Sequence, residues 1–123
     1  MKYLILIYSN PSSREIWSRM TREERAPGLA AYAALTEELE RSGELVATEA
    51  LADPALTTRV STAGGRLATV DGPFAEAKEL LAGFYLVDCE SHERAVEIAS
   101  RVPEAGLGLV EVRPVMSLSG FEL

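Results

Sequence analysis

The sequence predicts an α+β domain, and three observations carry that prediction. Short apolar runs alternate with stretches of helical period in the order strand, helix, strand, strand, helix, strand. The helical stretches carry capping signals at their ends. A Gly-Gly pair between two β-prone runs adds a hairpin in the middle of the chain. Two βαβ-like halves around an inserted hairpin make a split βαβ, or ferredoxin-like, plan.

Each element has its own reason. Residues 2–8 are almost continuously apolar and read as a central buried strand. Asn10-Pro11-Ser12-Ser13 is a turn. A short helical stretch comes next, with Ile16, Trp17 and Met20 on one side. Thr21 and Glu24 have capping-box spacing. Pro27-Gly28 is expected to interrupt or kink the helical stretch beyond them. From Leu29 the apolar face runs Leu29, Tyr32, Ala33, Thr36, Leu39, and Gly43 is the expected C-terminal cap. Residues 44–51 read as the second strand, ended by Asp53-Pro54. The runs 57–62 and 66–70 flank Gly64-Gly65 as the hairpin. Gly83 to Val87 is the next strand. Ser91 caps a helix whose buried face is expected to hold Ala95, Val96, Ala99 and Val102. Residues 109–113 form the last strand, closed by Pro114.

With 123 residues and 47% apolar side chains, the chain makes one domain with a real core. The domain is expected over 1–118, with a tail over 119–123. Its net charge of −7 disfavours direct nucleic-acid or anionic-membrane binding. No apolar run reaches the roughly 18 residues of a membrane span. The apolar start at Met1 is too short for a signal peptide. A single cysteine, Cys89, makes no internal disulfide, so a cytoplasmic location is expected. One His and one Cys form no metal cluster, and no phosphate or dinucleotide loop is present, so no metal or cofactor is expected. His92 reads as a surface residue and Cys89 as a small buried or rim residue. The strands look apolar on both faces. A second copy packed sheet against sheet is the simplest cover, which predicts a homodimer.

The stretch Asp71-Gly72-Pro73-Phe74 is a rigid turn. Asp71 has two readings: the cap of a short helical turn over Phe74 to Glu79, or a pocket carboxylate acting as general acid or base. Lys78 reads either as part of a solvated charge cluster with Glu76 and Glu79 or as a contact to an anionic ligand. Glu111 and Arg113 share one strand face and point together into a cleft or over an edge. Tyr8, Tyr32 and Tyr85 are core or pocket-wall candidates, each needing a hydroxyl partner if buried. The candidate ligand contacts are therefore Tyr8, Tyr32, Asp71, Phe74, Lys78 and Arg113, with Asp71 the catalytic candidate.

The Asp71-Gly72-Pro73-Phe74 turn stands with Met1-Lys2-Tyr3-Leu4, the Glu37-Glu38-Leu39 helix, Gly83-Phe84 and Glu111-Val112-Arg113-Pro114. In this order they resemble the YCII-related, or DGPF-domain, family over nearly the whole chain. The resemblance implies a dimeric α/β barrel built on the ferredoxin-like plan. It also implies bacterial relatives, some of them linked to sigma factors. Smaller relatives carry a His on the first helix and an Asp after the second, proposed as a catalytic pair. Here Leu29 to Arg41 holds no His, and Ala99 to Pro103 holds no Asp. Two functions stand as expectations. One is a homodimer that binds a small molecule or a protein partner in sigma-factor-linked regulation. The other is an enzyme acting on a small polar or aromatic metabolite through Asp71.

Overall fold

A computed structural model of the chain describes residues 1–118; the expected tail over 119–123 lies outside the described residues. Strands β1 (Lys2–Ser9), β2 (Leu45–Ala50), β5 (Leu80–Asp88) and β6 (Val110–Pro114) form one antiparallel sheet in the order β2-β5-β1-β6. Helix α1 spans Pro11–Arg19, α2 Arg22–Ser42 and α3 His92–Ser100. The hairpin strands β3 (Thr58–Ser61) and β4 (Ala68–Asp71) pair only with each other. This is the split βαβ plan with an inserted hairpin that the order of elements predicts.

Alternation along the central strands divides the sheet. Tyr3, Ile5 and Ile7 of β1 and Tyr85 and Val87 of β5 are buried with Leu35 and Leu39 of α2 and Ala95, Ile98 and Ala99 of α3. The intervening Leu4, Leu6, Phe84 and Leu86 face the other side and remain partly exposed. There Leu4 lies between Leu86 and Arg113, and Leu6 between Phe84 and Glu111, in register.

The capping signals act as expected. Thr21 Oγ1 accepts from Glu24 N at 3.1 Å, and Thr21 N donates to Glu24 Oε1 at 2.9 Å. Ser91 caps α3, and Gly43 ends α2 in the left-handed region at φ 80°.

Four local expectations need correction. Pro27 lies inside α2 rather than interrupting it. The capping box upstream and the burial of Leu35 and Leu39 downstream hold the helix through one missing hydrogen bond. The buried face of α2 is rotated: Leu35 is buried, whereas Leu29 is exposed. On α3, Ile98 takes the core place expected for Val96, which is exposed. Asp71 caps no helix over 74–79. Gly72, at φ 92°, turns the chain out of β4, a single Ala77 N to Phe74 O bond comes after it, and β5 begins early at Leu80. Residues 80–82 are drawn into the sheet by pairing with β1 and by a Leu51 N to Ala82 O bond of 2.8 Å.

Candidate functional site

One end of the sheet opens into a cavity of about 710 Å³ between α1, the first half of α2 and the loop after β2. Its walls are set by the local sequence. Asn10 and Ser13 cap α1 reciprocally, which points Ile16 and Trp17 at the cavity. On α2, Arg25, Gly28, Leu29 and Tyr32 all line it. Their spacing of three, four and seven residues puts them on one helical stripe. A Cβ placed on Gly28 would meet nothing within 4 Å, so this position leaves the cavity open. Leu51, Asp53, Leu81, Glu104 and Leu107 close the remaining sides.

The polar groups of the cavity are held in place. The Tyr32 hydroxyl donates to Glu104 Oε1. Burial, and then the Glu104 carboxylate beside it, push the Tyr32 hydroxyl far above its ordinary range, so it stays a donor. Tyr32 and Tyr85 stack with centroids 6.5 Å apart. Tyr85 and Thr36 share a hydroxyl hydrogen bond of 2.8 Å behind them. The Asp53 carboxylate accepts from Ala55 N at 2.9 Å. Arg14 donates to Ser9 Oγ at 3.0 Å. Arg25 lies 4.6 Å from the Trp17 ring centroid and donates to the Trp17 carbonyl from Nε and from one terminal nitrogen, at 3.1 and 2.7 Å.

Of the residues singled out in the sequence, Tyr8 and Tyr32 line this cavity. Tyr8 sits at its edge, where the Glu111 carboxylate raises its pKa. Asp71, Phe74 and Lys78 lie on the hairpin end and the connection to β5, all exposed. The Arg59 guanidinium lies 5.7 Å from the Phe74 ring. Arg113 stands on β6, on the open face of the sheet beside Leu4. None of these four lines the cavity. Sequence reasoning missed Glu104, Trp17, Arg14 and Arg25. The stripe on α2 is readable at heptad spacing, but Glu104 joins Tyr32 from a distant loop and has no local signal. Tyr85 is buried with its hydroxyl satisfied, Cys89 is buried, and His92 is exposed at the start of α3 with its ring 5.9 Å from that of Tyr3. Among the described residues no group of His, Cys, Asp or Glu is placed to hold a metal ion. Nor is any helix among them long and apolar enough to cross a membrane.

A four-stranded antiparallel sheet, helices on one face and an aromatic cavity at its end define a small α+β domain of ferredoxin-like plan. The YCII-related domain model matches residues 1–119, and the chain belongs to that family. An uncharacterized protein of Rhizobium meliloti (strain 1021) is 32% identical over 125 residues, covering 100% of this chain and 98% of that protein. A solved structure is similar in fold, with a TM-score of 0.55 and 16% identity over 97% of each chain. It is the 5-chloro-2-hydroxyhydroquinone dehydrochlorinase of Burkholderia phenoliruptrix AC1100 in complex with 2,5-dihydroxybenzoquinone.

Proposed function

We propose that this protein is an enzyme acting on a small polar or aromatic metabolite, with Glu104 as the acid–base group and Tyr32 as its partner. The observation that carries the reading is the Tyr32–Glu104 hydrogen bond in the wall of a cavity that also presents Tyr8, Ile16, Trp17, Leu29, Leu51 and Leu81. A carboxylate fixed by a phenol that remains protonated can accept a proton from a bound hydroxyl and return it. Asp71 stands on the hairpin outside this cavity, so the acid–base role falls to Glu104 in its place. The dehydrochlorinase of like fold, solved with a quinone, accords with a small aromatic ligand.

The test is turnover of a panel of hydroxylated aromatics by wild type, Glu104→Gln and Tyr32→Phe. Glu104→Gln is expected to lower kcat by about 10²-fold or more, the range for a lost acid–base group. Retention of wild-type turnover in Glu104→Gln would overturn the assignment.

The reading includes a homodimer formed on the open face of the sheet through Leu4, Leu6, Phe84 and Leu86. These four apolar side chains face away from the core and stay partly exposed, the kind of apolar face that a second copy would cover. Light scattering on wild type and Leu6→Glu checks this: a dimer is expected for the first and a monomer for the second. The regulatory reading, a cytoplasmic ligand-binding dimer that contacts a sigma factor, uses the same cavity and rests on the family resemblance. Ligand binding without turnover, together with retention of a sigma factor, would favour it.

A further inference from the structure

We propose that the ligand of this cavity carries a carboxylate, and that Arg14 and Arg25 bind it while an attached aromatic ring packs against Ile16, Trp17 and Leu29. This rests on the reading of the cavity as a site for a small aromatic molecule and adds the charge that the molecule must bring. Arg19, Arg41 and Arg101 each pair with one carboxylate and Arg94 with two. Arg22, Arg59, Arg66 and Arg113 have no such pair among the described residues and do not line the cavity. Among the described residues, Arg14 and Arg25 have no carboxylate within 4.0 Å, although both line the same cavity.

Both guanidinium groups are nonetheless oriented. Arg25 is fixed by the Trp17 ring beneath it and the Trp17 carbonyl beside it, and Arg14 by Ser9. A guanidinium has five N–H donors in a planar fork. These contacts occupy two on Arg25 and one on Arg14, so donors remain on each. Such a fork matches a carboxylate in two-point geometry, and preorganisation lowers the entropy lost on binding.

The cavity's own acids are not paired with them. Glu104 accepts from the Tyr32 hydroxyl and Asp53 from Ala55 N, and neither forms an ion pair with Arg14 or Arg25. The site is therefore polar at two separate places. Arg25 and Tyr32 lie seven residues apart on α2, which is about 10 Å along the helix axis. A substituted aromatic ring can bridge that span, its carboxylate at the arginines and a hydroxyl at the Tyr32–Glu104 pair. Gly28 and Leu29, between the two on the same stripe, leave room for the ring and an apolar wall against it.

Trp17 is the single tryptophan of the chain and lies in the cavity wall, so its emission reports occupancy. The probes are 4-hydroxybenzoate and its methyl ester, titrated into the full-length protein by Trp17 emission and by calorimetry. The acid is expected to bind at least 10-fold more tightly than the ester and to weaken with added salt. Arg14→Gln and Arg25→Gln are each expected to weaken the acid at least 10-fold and to leave the ester unchanged. Arg14→Lys, which keeps the charge and loses the fork, is expected to fall between and serves if a Gln variant does not fold. Equal binding of acid and ester, or undiminished acid binding by the arginine variants, would overturn the carboxylate site while leaving an aromatic site in place. Binding of neither probe would overturn both.

Discussion

Tyr32 on α2 and Glu104 in the turn before β6 are joined by a hydrogen bond across 72 residues of sequence. Because burial and that carboxylate raise the tyrosine's pKa, the bond links stability to alkaline pH. An unfolded Tyr32 ionises near its ordinary 10.0, whereas the folded one holds its proton to higher pH. The contribution is complete below pH 10 and is lost as pH rises through the folded value. Tyr32→Phe is therefore expected to flatten the decline in melting temperature above pH 10, and melts between pH 8 and about 11 read the effect directly.

The Arg94–Glu44 pair should dominate the acid limb. Arg94 donates to Glu44 through Nε at 3.0 Å and through a terminal nitrogen at 2.8 Å, with both side chains about one-fifth exposed. The Arg94 hydrogen bond holds the Glu44 carboxyl below its ordinary 4.5. Its stabilisation is present above pH 4.5 and is lost as pH falls through the lower folded value. Glu44→Gln is expected to cost about 1.5–3 kcal/mol at pH 7, the range for a charged hydrogen bond, and much less at pH 3. Urea unfolding at the two pH values compares them.

Gly83 lets β2 and β5 approach. A Cβ there would stand 2.8 Å from the Glu49 carbonyl oxygen and 3.4 Å from Ala50 Cα, both of them backbone. Gly83→Ala is expected to destabilise by about 1–3 kcal/mol, as overpacking does, because backbone has no rotamer to yield. The midpoint of denaturant unfolding reads it.

Gly28 should behave oppositely. Its added Cβ enters open space inside a helix, so Gly28→Ala is expected to raise stability by up to about 1 kcal/mol. The same methyl group narrows the cavity, so ring binding should weaken while the melting temperature rises. A rise in both would separate Gly28 from the site.

Asp71 offers the clearest contrast with what its sequence context suggests. It ends β4 opposite Thr58 and is exposed. Asp71→Asn is expected to change stability by less than about 0.5 kcal/mol, as exposed substitutions usually do, and paired thermal melts check this.

The features legible in the sequence are those decided within a few residues. The apolar runs of β1 and β5, the caps at Thr21 and Ser91, the left-handed cap at Gly43 and the Gly64-Gly65 hairpin all depend on neighbours along the chain. The strand order then accords with the split βαβ plan. Helix phase is less secure. A rotation of α2 exchanges Leu29 for Leu35, and local periodicity cannot tell which apolar stripe meets the sheet.

The cavity belongs to the tertiary structure. Tyr32 is a candidate from sequence because a tyrosine on a helical face needs a hydroxyl partner, but the partner comes from a loop 72 residues away. Arg14 and Arg25 are ordinary helix-surface cations in the sequence. The fold places both against one cavity, with no carboxylate paired to either among the described residues and with Trp17 under one of them. Asp71, in the most distinctive turn of the chain, is carried outward on the hairpin. Local sequence determines that these strands and helices form and which residues cap the helices. Which side chains converge depends on contacts between elements distant in the chain, and those energies have no local pattern.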